Sequence, residues 1–150
     1  MYHVLVRRLT SRIFDDVNRH RYDAVLRGCA PDVHHRFGGH HALGGERHDS
    51  DALARWFDRL GRLVPDLHLT VDDVWVKGWP RSTWVFARWH AEAQMPDGSP
   101  YRNHGVHVVH LRWGRAVEID ANEDSQAVAG LLAARAAAGV VEAAAEPITR

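Results

Sequence analysis

Apolar residues along the chain switch period several times, and each switch marks an element. Leu5, Leu9, Ile13 and Val17 recur four apart, which predicts an amphipathic helix from Val4 to about Arg19. Tyr22 to Cys29 reads as a second, shorter helix that Gly28 and Pro31 help to end. Val33 to Phe37 alternates as a short strand, with Val33, His35 and Phe37 on one side. A loop follows, GGHHALGGERHDS, in which paired glycines frame paired histidines. Asp49 or Ser50 can cap a third helix, Asp51 to Val64, whose Leu53, Trp56, Phe57, Leu60 and Val64 form one apolar stripe before Pro65 stops it. The pattern then turns to strands at Leu67–Val76, Thr83–Met95, Tyr101–Trp113 and Ala116–Ala121. Asp124-Ser125 caps a last helix, Gln126 to Ala138, that buries Val128, Leu131 and Leu132 and ends at Gly139. Helices, then a run of strands, then a closing helix predict an α+β domain with an antiparallel sheet. Residues 1–139 form that domain, and 140–150 read as a tail or short helix.

The stretch RWHAEAQMPDGSPYRNHGVHVV, Arg88 to Val109, carries the chemistry. A four-residue Asp97-Gly98-Ser99-Pro100 loop pairs Pro96 with Tyr101 and sets His90 directly across from His107. Period-two alternation adds Trp84, Phe86 and Arg88 to the His90 face and brings Val109 opposite Arg88. Apolar walls with a few convergent polar groups describe a small-molecule pocket. The opposite face then holds Val85, Ala87, Trp89 and Ala91 with Val106 and Val108. A patch of that kind turned away from the helices predicts a homodimer across the outer face of the sheet.

Composition narrows the classes. Length 150 suits one domain. Nineteen basic side chains balance nineteen acidic ones with no dense basic run, so nucleic acid has no electrostatic footprint here. No apolar run is long enough to span a bilayer, and the charged start MYHVLVRRLTSRIFDD does not read as a signal peptide. Cys29 is the only cysteine, which excludes an intrachain disulfide and leaves a buried core residue or a reactive thiol. A reducing cytoplasm is the expected compartment. Of twelve histidines, nine fall into an early group (His34, His35, His40, His41, His48) and a late one (His90, His104, His107, His110). Their spacing fits no metal template, and the glycine loop fits neither phosphate-binding pattern, so no metal and no cofactor are expected.

The order of elements, with CAPDVHHRFGG at Cys29–Gly39, VPDLHLTVDDV at Val64–Val74 and GVHVVHLRWGRAVEIDANEDSQ at Gly105–Gln126, resembles the nuclear transport factor 2-like superfamily. Within it the chain looks most like SnoaL-like polyketide cyclases and ketosteroid isomerase-like proteins, from Leu9 to about Gly139. The resemblance implies a cone-shaped domain, in which a curved sheet wraps the N-terminal helices around a ligand pocket, and it implies a dimer. It does not carry an intact mechanism. The general-base Asp of ketosteroid isomerases falls here at Phe37, their oxyanion-hole Tyr at Ile13 and their protonated Asp at His107. Against limonene-epoxide-hydrolase-like relatives, Arg88 matches the Arg, while His90 and Ala121 replace the two Asp. The expected catalytic residues are therefore His107 first, then His90 and Arg88. His35, Phe37, Trp84, Phe86, Trp56 and Val109 are expected to line the substrate. Plainer readings stand beside these: His107 as a pocket wall, Arg88 as the partner of Glu92 or Glu123, Trp56 as core, and Asp124, near which polyketide cyclases of this type use an acidic residue, as a helix cap. Two functions follow. One is an enzyme moving protons on a small, largely apolar oxygenated molecule, as an isomerase, cyclase or hydrolase. The other is a non-catalytic ligand-binding or dimerisation module.

Overall fold

A computed structural model describes residues 1–150. Its helices are α1 (Tyr2–Asn18), α2 (Tyr22–Arg27), α3 (Ser50–Leu63) and α4 (Ser125–Ala137), and its strands are β1 (Cys29–Phe37), β2 (Gly45–Arg47), β3 (His68–Trp79), β4 (Ser82–Gln94), β5 (Pro100–Arg112) and β6 (Arg115–Glu123). The strands form one mixed sheet in the order β2-β1-β6-β5-β4-β3, parallel only where β1 meets β6. The curved sheet and the helices make the α+β cone. The three-residue β2 lies inside the glycine-histidine loop, where alternation over so few residues leaves no readable period.

Local chemistry explains the helix ends. The Asp49 carboxylate accepts the Ala52 N–H at 2.7 Å to start α3, and Asp124 accepts from Gln126 and Ala127 to start α4. Asp124 is thus a cap. The α3 stripe is buried as expected, with Leu53 wholly inaccessible. Together with Val33, Val128, Leu131 and Leu132 it builds one apolar cluster; Val6 and Phe14 of α1 pack with Val74, Val85, Ala87, Trp89 and Ala91 into a second. Leu53→Ala deletes a well-packed side chain from the first cluster, and urea denaturation should show a loss of about 3 kcal/mol. Beyond Gly139, Ala143 is buried in the same cluster and Glu142 pairs with Arg59 and Arg62, so the last residues run back over α3.

The central hairpin overturns the expected register. Its last pair is Gln94 with Pro100, and His90 lies opposite His104, with His107 opposite Ala87. Met95 and Pro96 belong to the turn instead of the strand. Met95 N–H bonds Ser99 O at 2.8 Å, Gly98 takes the left-handed φ of 85°, and the Asp97 carboxylate accepts the Ser99 N–H. Pro96 has no N–H to offer a ladder, and the Asp97 bond draws the following residues into the loop. The displacement is odd, so every β4 side chain changes face. Val85, Ala87, Trp89 and Ala91 point inward and are buried; Trp84, Phe86, Arg88 and His90 point outward.

Candidate active site

The concave side of the sheet, α1, α2 and α3 enclose a cavity of about 620 Å³. It draws its walls from both apolar clusters, with Leu5 and Leu9 of α1 half-exposed at its edge. That size is ample for a drug-sized molecule. Of the expected residues, His107, His35, Phe37, Trp56 and Val109 line it. Arg88, His90, Trp84 and Phe86 do not. The Arg88 guanidinium sits over the outward Trp75 ring, 5.9 Å from its centre, rather than on Glu92 or Glu123. His90 is exposed and bonds Asp72 at 2.8 Å. Trp84 stacks on His110, ring centres 4.1 Å apart. His90 and His107 therefore point to opposite faces of the sheet and share no cavity. The cause is the turn just described. His90→Ala should leave ligand affinity in the cavity unchanged, which isothermal titration would check.

The two inward histidines are held alike. Trp89 donates its indole N–H to His107 Nδ1 at 2.7 Å. Arg47 donates from Nε to His35 Nδ1 at 3.0 Å. Indole and guanidinium can only donate, so each imidazole, when neutral, must carry its proton on Nε2. Neither Nε2 has a protein partner, and both rings border the cavity. Burial drives the His107 pKa down to about 4, and a charge on Asp120 opposes this only weakly. Burial also takes His35 well below the usual imidazole range, and the Arg47 charge adds to that. At neutral pH both rings are uncharged donors.

This has a consequence for stability. An unfolded histidine takes up its proton near pH 6.5, whereas folded His107 resists until about 4. Its stability contribution is full above pH 6.5 and is lost as pH falls toward 4. The loss amounts to roughly 3 kcal/mol for this group. Urea midpoints measured across that window should fall less steeply in His107→Gln than in the wild type.

Trp89 reaches His107 because of what it faces. Its cross-strand partner is Gly105, where an added Cβ would stand 2.8 Å from the indole and 2.3 Å from Asn122 O. Only glycine leaves that space.

Further polar groups line the cavity. Burial raises the Glu123 carboxyl pKa, although its Oε1 accepts from Ser125 at 2.8 Å; Oε2 is buried with no partner. Tyr101 Oη accepts from Asn103 Nδ2 at 2.8 Å, leaving the phenol proton free to donate, and burial raises its pKa. Asp16 on α1 is buried with Arg21 3.6 Å away. Glu123 was legible: Ile119 and Ala121 face inward, and Glu123 is the next step of two, although a bulge at the start of β6 puts Ala116 rather than Val117 on the cavity wall. Tyr101 and Asn103 follow from His107 by the same count. Cys29 is buried core, its thiol pushed up to about 11 by burial, and stays protonated.

A cone-shaped α+β fold around an apolar cavity with a few inward polar groups defines the nuclear transport factor 2-like class. Residues 10–119 match the model of the SnoaL-like domain, and the chain belongs to that family. Among solved structures, PrhC from Penicillium brasilianum superposes with a TM-score of 0.74 at 13% identity, covering 90% of each chain. An NTF2-like protein of unknown function from Exiguobacterium sp. 255-15 gives 0.62 at 18% identity, over 75% of this chain and 95% of its own. A putative polyketide cyclase from Xanthomonas campestris pv. campestris gives 0.55 at 18% identity, over 75% and 84%. At these identities the likeness is one of fold. No curated protein matches the chain.

Proposed function

We propose that the chain is a cofactor-independent enzyme that moves a proton on a small, largely apolar, oxygenated molecule held in the cavity. The observation that carries this reading is the pair of neutral imidazoles, His35 and His107, with both Nδ1 atoms taken by obligate donors. Each offers an Nε2–H to a ligand oxygen. A carbonyl that becomes an enolate gains negative charge on that oxygen, and preorganised donors in an apolar site stabilise the charge more than the starting ketone. Glu123 supplies the proton acceptor. Its place on the cavity wall and raised pKa suit a carboxylate that takes a proton from carbon and returns it. It stands on β6 two residues beyond Ala121, the β1 partner of Phe37, and so provides from the neighbouring strand the carboxylate that β1 lacks. His107 thereby becomes a donor rather than a base. Proton transfer beside a carbonyl is common to isomerases and cyclases, and the putative polyketide cyclase among the similar structures agrees with that chemistry.

Phenols and naphthols of graded acidity test the donors. Trp56 and Trp89 line the cavity, so quenching of their fluorescence reports binding. Affinity should climb with ligand acidity in the wild type, and His107→Phe should flatten the slope. A slope the same in both proteins would remove His107 from the reading. Tight binding without any proton exchange would favour a ligand-binding module, which the mostly apolar lining also fits.

We further propose a homodimer across the outer face of the sheet, through a patch that keeps Val106 and Val108 but replaces the β4 residues first expected. Trp89 is buried, and the outward apolar set is Trp75, Trp84, Phe86, Val106 and Val108. Trp75 is 46% exposed in a single chain. Sedimentation should give a dimer mass at micromolar concentration, and Phe86→Arg should give a monomer. No helix is long and apolar enough to cross a membrane.

A further inference from the structure

We propose that His34, His48 and Glu46 form a zinc site on the outer face of the sheet, at the β1–β2 edge. The register pairs His35 with Arg47 and Arg36 with Glu46, so His34 falls opposite His48, with Glu46 one diagonal step away. All three therefore share the face opposite His35 and Arg47, outside the cavity. Their ligand atoms lie within 4.8 Å of one another, and the two imidazole rings stack with centres 4.8 Å apart. His34 Nε2 stands 3.7 Å from Glu46 Oε1. Ligand atoms at the usual zinc distances sit about 3.3 Å apart around a tetrahedral ion, so the two rings tilt out of their stack to close the set.

Two observations separate this cluster from an ordinary solvated face. His34 Nε2 is buried and has no hydrogen-bond partner, an unmet polar atom beside two other potential ligands. Arg36, on the same face, is held by Asp120 at 2.7 Å and by Asn122 and makes no ion pair with the Glu46 carboxylate. Two imidazoles, one carboxylate and a water make a four-coordinate N,N,O,O set that suits zinc. The role is structural, since the site faces away from the cavity. β2 is a three-residue edge strand, and it carries Arg47, which holds the His35 tautomer. An ion bridging β1 and β2 pins that strand.

The site stands independently of the reading given to the cavity. Titration calorimetry of zinc chloride into the full untagged chain should show one ion per chain. His34→Ala and His48→Ala should each weaken binding by on the order of tenfold or more, while His104→Ala, elsewhere on the sheet, should not. Zinc should raise the melting temperature of the wild type and leave that of His48→Ala unmoved. His48 is exposed, so that variant keeps its core and remains informative if His34→Ala folds poorly. Absence of binding to the wild type, or binding that survives both histidine substitutions unchanged, would overturn the site.

Discussion

Arg47→Leu should destabilise the fold by about 3–5 kcal/mol, read from urea denaturation at neutral pH. Arg47 has no accessible surface, and burial holds its pKa down to about 10, so it is still charged at neutral pH. The guanidinium donates to His35 Nδ1, to Gly44 O at 3.1 Å, to Gly45 O at 2.6 Å and to Ile148 O at 2.9 Å, and lies over the Trp56 ring. Leucine fills part of the volume but leaves three carbonyls and an imidazole nitrogen unpaired, and such losses set the size of the effect. Arg47→Lys should recover little, because an ammonium lacks the planar fork that spans those acceptors. The same substitution frees His35 to change tautomer, so the dependence of naphthol affinity on ligand acidity should weaken too. A loss below about 1 kcal/mol would mean that water satisfies these groups.

Glu123→Gln should slow proton exchange on a bound ketone by a factor of about 10² to 10⁴, the usual range for one general base. The measurement is deuterium uptake at the α-carbon of 2-tetralone, followed by NMR with wild type and variant. Glutamine keeps the shape and can still meet Ser125, so binding should change little while exchange collapses. Burial raises the Glu123 pKa, and the carboxylate must be ionised to take the proton. Exchange in the wild type should therefore fall as pH drops through a value above the ordinary carboxylate range, and this limb should vanish in the variant. Equal exchange rates in the two proteins would assign the base elsewhere, with Asp16 the next carboxylate on the cavity wall.

Long periodic segments were legible in the chain, and the reason is local. The α3 stripe from Leu53 to Leu60 has a helical period that only one buried face satisfies, and Asp49 and Asp124 announce the helices they cap. Inward positions on β1, β5 and β6 also followed from alternation, which is how His35, Phe37, His107 and Val109 were placed. Strand β4 alternates just as cleanly, but both of its faces carry large apolar residues. Trp84 and Phe86 serve a core as well as Val85 and Trp89 do, so pattern alone could not say which face looks inward. Only the turn could, and it hinged on whether Met95 and Pro96 join the loop.

The amino-acid sequence by itself determined the order of elements, the helix caps, the α+β class and the family, because these rest on short-range periodicity and on signals spread along the whole chain. The tertiary structure alone decided the membership of the site. A turn longer at its start carried Arg88 and His90 out to solvent and brought Trp89 in beside His107. Pairing of β2 with β1 set Arg47 against His35 and His34 against His48. Protonation states belong to that second category as well. A histidine in a sequence is a switch near neutral pH, and only its burial and the donor beside it make His107 a fixed, neutral hydrogen-bond donor.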